Sequence, residues 1–173
     1  MKKIQLLIFC FSLSLCISPL SLAKEYLSSK DFISQSFNGE PSQRKVYWLE
    51  DDTKKTIESI LGHRFKKLRL RYWQHKQQTV WILNEIGKES PITIGIHIRD
   101  NKIVRTKVLV YRESRGDEVR HDFFTNQFVN AELTDELKLS KHIDGISGAT
   151  LSVNALTKVS RIALMLHKEV LSE

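Results

Sequence analysis

The chain has 173 residues, which is enough for one domain of about 150 residues after a short leader. It is 41% hydrophobic and 27% charged, with 7 glycines and 3 prolines, which excludes collagen-like, low-complexity and wholly disordered proteins. Its 27 basic and 20 acidic residues give a formal net charge of +7 at pH 7, an excess compatible with an anionic ligand or partner.

The N terminus has the layout of a secretory signal peptide. A basic start, residues 1–3, precedes an apolar stretch, residues 4–17, and the small residues that end at Ala23 predict cleavage after that position. A retained anchor is the less favoured alternative, because the apolar stretch is shorter than the about 20 residues of a membrane span. Both cysteines, Cys10 and Cys16, lie in this leader. The processed chain is therefore expected to contain no disulfide, zinc–thiolate site or iron–sulfur cluster.

Two short helices are predicted next. Residues 24–43 are rich in Ser, Asn and Gly and indicate a loose lead-in with one helix near Ser29–Phe37. A second helix is predicted over Lys54–Leu61, where apolar residues recur at helical spacing. The acidic residues of the preceding segment, residues 51–53, suit the positive end of a helix dipole, and Gly62 is a natural stop.

From residue 65 the hydrophobic pattern changes to a period of two, which predicts strands. The predicted strands are Phe65–Tyr72, Thr79–Ile86, Ile92–Ile98 and Lys102–Tyr111. In the third, isoleucines alternate with Thr93, Gly95 and His97, the pattern of a half-buried strand. Asp100-Asn101 predicts the turn into the fourth. Because the connections are too short for helical crossovers, we expect an antiparallel meander.

Two further helices complete the predicted elements. A break at residues 114–117 ends the meander, and Phe124 and Phe128, four residues apart, predict a helix over Val119–Val129 with both rings facing the core. Ala149–Leu171 predicts a long amphipathic helix. The expected fold class is α+β, a twisted antiparallel sheet with helices packed on it. The expected divisions are a signal peptide over 1–23, an N-terminal lead-in and helix over 24–64, and a main domain over 65–173.

Several common functional signals are weak. None of the six histidines has the spacing of a zinc-binding helix, so we predict no metal site. The basic run of residues 64–76 includes Tyr72 and Trp73 and resembles a nucleic-acid face in composition. A strand with one solvated, charged face is the favoured interpretation, and we predict no nucleic-acid partner.

The segment of residues 144–152, Asp-Gly-Ile-Ser-Gly-Ala-Thr-Leu-Ser, has two possible roles. Asp, Ser and Thr before an apolar-periodic run are typical helix-capping residues. Alternatively, small residues at a helix start leave room for a ligand close to unpaired backbone N–H groups, which is the chemistry of a phosphate site. Thr150 would add a hydroxyl there. A free threonine hydroxyl is a poor nucleophile, so covalent chemistry on it would need an outside base or enzyme.

Asp144–Thr150 also resembles the Asp-x-x-Ser/Thr-Gly-Ala-Thr flavinylation motif of the FMN-binding domain family. The motif positions fall on Asp144, Ser147, Gly148, Ala149 and Thr150. Upstream, the residues at 113–116, Glu-Ser-Arg-Gly, resemble a Glu-Thr-Pro-Gly segment of that family, and the Gln-Phe at 127–128 matches its Gln-Phe. The resemblance covers residues 79–170 and departs from the family pattern at Ser114 and Arg115.

The resemblance implies a function for the chain. It implies that Thr150 carries FMN through a phosphoester, and that FMN is installed from FAD by an exported, magnesium-dependent flavin transferase. The cofactor-binding residues that it implies are Glu113, Arg115, Gly116, Asp144, Ser147, Gly148, Ala149 and Thr150. Residues 65–173 would then be the FMN-binding domain.

The expected protein is a periplasmic, soluble flavoprotein that carries electrons, with a membrane quinol or cytochrome as its redox partner and no catalytic residue of its own. It would be an electron-transfer subunit rather than a complete enzyme. Two alternatives remain open. One is a binding or sensor module that holds flavin or another phosphate ligand without electron flow. The other is a flavin-free domain in which the motif only caps a helix.

Overall fold

The chain folds around one six-stranded antiparallel sheet. A computed structural model describes residues 23–172. The strands are β1 (Lys24–Glu25), β2 (Gln43–Trp48), β3 (Arg69–His75), β4 (Gln78–Ile86), β5 (Pro91–Arg99) and β6 (Lys102–Tyr111). Their order in the sheet is β1-β6-β5-β4-β3-β2. The helices are α1 (Ser29–Ser36), α2 (Asp51–Leu61), α3 (Asp122–Thr125) and α4 (Thr150–Ser172). The predicted α+β class with a long C-terminal helix is confirmed.

The β5–β6 hairpin turns where the sequence predicts. Asp100 and Asn101 both have left-handed backbones, with φ of 52° and 59°. Asp and Asn tolerate this region better than other non-glycine residues, and paired positive φ values match the right-handed twist of the flanking strands. Arg99 pairs with Lys102 across this turn.

Helix α4 covers one face of the sheet and contributes more residues to the main core than any other element. It packs on β4 and β5, and the isoleucines of β5 that face it are fully buried. Every residue of the predicted apolar stripe is buried, namely Leu156, Val159, Ala163, Leu166 and Val170. None of the helices described between residues 23 and 172 is both long and apolar enough to cross a membrane.

The opposite face of β5 is also covered, so the predicted half-buried strand is wrong. Residues 92–98 are buried on both faces, because α1 packs on β4, β5 and β6 from the other side. The Phe32 ring of α1 lies so close to Gly95 that a Cβ there would come within 2.6 Å of it. Gly95 and the buried His97 were predicted to face solvent because the sequence does not show where α1 packs.

The predicted helix over Val119–Val129 is also wrong. The chain forms a 3-10 turn over Asp117–Arg120, the short α3, and a second 3-10 turn over Asn126–Phe128, with an extended residue, His121, between the first two. In a continuous helix, positions five apart point about 140° away from each other. The breaks therefore let Val119 reach the same core as the two predicted aromatic residues. Phe124 and Phe128 are fully buried, as predicted, with ring centroids 5.6 Å apart.

Other boundaries differ by a few residues. Helix α2 begins at Asp51, three residues early, because the Glu50 carbonyl already accepts the first helical bond from the Lys54 amide, at 2.9 Å. Helix α1 and the stop at Gly62, whose φ is 76°, are as predicted. Strand β3 begins at Arg69 rather than Phe65, because its pairing with β2 ends at Trp48.

The predicted lead-in contributes two strands that its composition did not reveal. Strand β1 pairs with β6, and β2 pairs with β3, so both edges of the sheet come from residues before position 65. The sheet thus contains strands from both predicted divisions, residues 24–64 and residues 65–173. Of the predicted signal peptide, only its last residue, Ala23, is among the described residues.

Candidate functional site

Helix α4 begins without a side-chain cap. Its first helical bond runs from the Val153 amide to the Ala149 carbonyl, at 3.0 Å, and the Ala149 amide is bonded to Ile146. The amides of residues 150–152 find no acceptor within residues 23–172. Gly148 forms the turn into the helix with φ of 83°. Unpaired amides at the positive end of a 23-residue helix favour an anion.

The motif side chains face solvent instead of capping the helix. Thr150, Ser147 and Asp144 are exposed, and none of them accepts a hydrogen bond from the first turn of α4. The carboxylate of Asp144 lies 3.6 Å from the exposed His142 ring. The capping alternative requires such a bond, so this geometry favours the phosphate-site interpretation.

The loop after β6 packs directly on this helix start. Gly116 has φ of 83°, and a Cβ built on it would lie 3.3 Å from the Ala149 Cβ and 3.4 Å from its Cα. Two of the predicted site segments, whose contacting residues are 33 positions apart in the chain, are therefore in contact. Any side chain at position 116 would be strained and would push on the start of α4.

Tyr111 fixes this contact through its hydroxyl. The buried Tyr111 donates a hydrogen bond to the Arg115 carbonyl at 2.6 Å, and it lies 2.9 Å from the Ser152 Oγ. Because its own hydrogen goes to the carbonyl, the Ser152 hydroxyl is the donor in the second bond. Burial raises the pKa of Tyr111, so this phenol stays protonated. The sequence carries no signal for either residue, because a tyrosine at a strand end is most simply a core residue.

Glu113 is directed at a different loop. Its Oε1 accepts hydrogen bonds from the amides of Lys88, Glu89 and Ser90, at 2.6, 2.7 and 2.8 Å. Burial opposes ionisation of this carboxyl, but the three amide bonds together outweigh it and lower its pKa. Glu113 therefore holds the β4–β5 turn against the loop after β6. A flavin contact by Glu113 stays a prediction.

One more predicted site residue, Arg115, and the Gln-Phe pair of the resemblance lie beside this helix start. Arg115 is exposed, and its guanidinium forms no ion pair within the described part of the chain, which leaves it available to an anion. Gln127 accepts a hydrogen bond from the Asp144 amide at 2.7 Å, so the Gln-Phe pair ties the start of the motif to the second 3-10 turn. Between residues 23 and 172 no group of three or more His, Cys, Asp or Glu side chains has the arrangement of a metal site.

We predict that Tyr111→Phe loosens the site. The change removes both bonds of the hydroxyl and leaves a buried serine and a carbonyl unpaired, so it should lower the free energy of unfolding by about 1–2 kcal/mol. It should also speed amide hydrogen exchange in residues 112–116. A double-mutant cycle with Ser152→Ala measures the shared bond. Additive effects of the two changes would contradict the coupling between the loop and α4.

Comparison with known proteins agrees with this geometry. Residues 87–165 match the family model described as FMN-binding domain. The chain therefore resembles that family across a segment that contains all eight predicted site residues. The match supports a flavin-binding protein with FMN as its cofactor. No curated protein is significantly similar to the chain. No solved structure is significantly similar either.

Proposed function

We propose that this chain, with its FMN-binding domain over residues 87–165, is an exported flavoprotein whose FMN is joined to Thr150 by a phosphoester. In this proposal it carries electrons between a membrane redox partner, a quinol or a cytochrome, and an acceptor. The observation that carries the proposal is the start of α4, where an exposed Thr150 hydroxyl adjoins three amides that find no acceptor among residues 23–172.

The residues of this region fit a phosphate ester. The amides of residues 150–152 offer donors to phosphate oxygens, and the helix dipole favours their negative charge. Gly148 and Ala149 carry no side chain large enough to obstruct an approach from solvent. Arg115, in the loop that packs on Ala149, supplies a cation without an acidic partner of its own among the described residues.

Attachment requires an enzyme, since a threonine hydroxyl is a weak nucleophile. In the proposed reaction the Thr150 Oγ forms a bond to the phosphorus of the FMN half of FAD, and the bond to the AMP half breaks. The hydroxyl proton passes to a base of the magnesium-dependent transferase, and AMP leaves. Thr150 is thus the acceptor in one modification event and takes no part in later turnover.

A bound FMN supplies one- and two-electron chemistry. A tether through the phosphate leaves its ring chemically unmodified, so the surrounding protein sets the redox potential. The contribution of this chain is to retain the cofactor and to hold the two site loops together through Tyr111, Gly116 and Glu113.

Co-expression with an active flavin transferase tests the proposal. The intact mass should increase by one FMN less one water, and the yellow colour should survive acid precipitation. An unlabelled protein beside an active transferase would refute the covalent assignment. Reoxidation of the bound flavin by a membrane fraction then distinguishes an electron carrier, whose flavin should be reoxidised, from a sensor module, whose flavin should not.

We predict that Asp144→Ala prevents flavin attachment while the fold persists. The Asp144 side chain is exposed and caps no helix, so its loss should change the free energy of unfolding by about 1 kcal/mol or less. In-gel flavin fluorescence measures labelling. The matched control is Asp135→Ala, another exposed aspartate, which should label at the parent rate. Normal labelling of the Asp144 variant would exclude a role in recognition.

We predict that export removes residues 1–23. The mature chain would then begin at Lys24, the first residue of the edge strand β1, which pairs with Tyr111 of β6. N-terminal sequencing of protein from the periplasmic fraction should start at Lys-Glu-Tyr. A full-length chain recovered from the membrane fraction would indicate a retained anchor instead.

A further inference from the structure

A cleft on the α1 side of the sheet is rich in basic side chains. Helix α1 covers β4, β5 and β6, and between its first residue and the neighbouring strands lies a cleft of about 360 Å³. We call it the basic groove. Its lining includes Ser29, Lys67, Arg69, Arg71, Trp73 and Ile82.

The cations of the basic groove lack acidic partners. Within residues 23–172, Lys67, Arg69 and Arg71 form no ion pair, and all three are exposed. The Arg69 guanidinium lies 5.2 Å from the ring centroid of Trp48, which is itself 62% exposed on the edge strand β2. No carboxylate of residues 23–172 forms an ion pair with this basic, tryptophan-bearing surface, so its cations are available to an anionic partner. Arg and Trp are also the residues that most often dominate the energy of protein interfaces.

Two of the cations have a regular spacing. Arg69 and Arg71 occupy alternate positions of β3, and alternate side chains of a strand share one face about 7 Å apart. Lys67 precedes the strand, beyond a bend at Leu68, and lines the same groove. An extended partner segment with carboxylates at alternate positions has the same repeat. Such a segment could pair each carboxylate with one cation of the groove.

We propose that the basic groove docks an extended acidic segment of a partner protein. Charge complementarity supplies the attraction, and Trp73 and Ile82, both half-buried, offer an apolar floor for the uncharged side chains between the carboxylates. The wall formed by the start of α1 makes the surface concave. A narrow segment fits such a cleft better than a flat lipid surface does. The proposal goes beyond flavin binding and does not depend on Thr150 carrying FMN.

The test uses a fluorescein-labelled peptide of alternating Glu and Ser, with binding to the full protein followed by fluorescence anisotropy at low salt. The double variant Arg69→Gln/Arg71→Gln should weaken binding by about tenfold. The matched control Lys55→Gln/Lys138→Gln removes the same charge from two exposed lysines outside the groove and should change binding by less than about twofold. If the double variant lowers the thermal midpoint, Arg71→Gln alone should still weaken binding by about threefold.

Three results would overturn the proposal. The first is that the parent protein fails to bind the peptide. The second is that the control variant loses as much affinity as the groove variant, which would show only a response to net charge. The third is that vesicles with anionic phosphatidylglycerol, or a single-stranded oligonucleotide, bind more tightly than the peptide and lose this binding in the groove variant. That last result would assign the groove to a lipid surface or to nucleic acid.

Discussion

Thr150→Val is expected to abolish covalent FMN completely while the domain remains folded. Valine preserves the size and β-branching of threonine but has no hydroxyl to form the phosphoester. The Thr150 side chain is exposed at the first residue of α4 and makes no capping bond within the described residues. Its replacement should therefore cost at most about 1 kcal/mol of stability. In-gel fluorescence and peptide mass after co-expression with a transferase measure the loss of label.

Two control variants make this result specific. Thr150→Ser keeps a hydroxyl at the same position and should retain part of the labelling. Thr157→Val removes a hydroxyl two turns along α4, where Thr157 bonds the Val153 carbonyl at 2.9 Å, and should label fully. A fluorescent Thr150→Val protein would exclude Thr150 as the attachment point. Loss of label in Thr157→Val would mean that α4, rather than one hydroxyl, determines the reaction.

The sequence predicted the site segments better than their mutual arrangement. Residues 144–150 were found because small residues, a hydroxyl and an apolar-periodic helix follow one another along the chain. The contact between Gly116 and Ala149 depends on how β6, which precedes Gly116, packs against α4, which follows Ala149. No local pattern encodes that packing. The resemblance identified Glu113, but its bonds to the β4–β5 turn follow from the path of the strands.

The fold errors have a similar origin. Periodicity correctly predicted β4, β5, β6 and α4, whose apolar patterns are long. It misjudged the exposure of β5, because the second covering layer, α1, comes from a segment with little hydrophobic signal. Strands β1 and β2 were missed because edge strands bury few residues, and β2 buries only Tyr47. Sequence alone thus predicted the α4 side of the sheet more accurately than the α1 side.

Two buried histidines are expected to make the fold sensitive to acid. His167 is fully buried on α4, and its Nδ1 lies 2.7 Å from the Thr79 hydroxyl, which itself accepts a bond from the Trp81 indole at 3.0 Å. The Thr79 hydroxyl can donate its own hydrogen to Nδ1 or accept one from it, so this contact is compatible with either neutral tautomer of the ring. The Nε2 of His167 is buried and has no hydrogen-bond partner among the described residues. On the other face of the sheet, His97 lies 2.9 Å from the Gln78 Oε1.

Both rings resist protonation. Burial lowers the pKa of His167 to about 4, against a smaller opposing effect of Asp100. Burial, aided by the nearby Arg99 and Arg105, lowers the pKa of His97 to about 4. In the unfolded chain both would titrate near 6.5. The unfolded state therefore binds more protons between pH 6.5 and 4, and stability falls with pH in that window.

We predict that lowering the pH from 7 to 5 reduces the free energy of unfolding by about 2 kcal/mol for each of these histidines, a large part of the stability of a typical domain. The exposed His63 acts in the opposite direction, since its hydrogen bond to Glu85 raises its pKa, but its contribution changes mainly above pH 6.5. Glu113 stabilises the fold above the ordinary carboxyl pKa and loses this contribution as the pH falls from there through its own lowered pKa, which lies below the tested range. Urea titrations across pH 5–7 measure how steeply the free energy of unfolding changes with pH for the parent and for His97→Gln/His167→Gln.

The double variant is expected to be less stable at pH 7, because it disturbs two buried bonds, yet its free energy of unfolding should depend much less on pH. The control His142→Gln, at a surface position, should keep the parent slope. An unchanged slope in the double variant would mean that the acid sensitivity arises elsewhere.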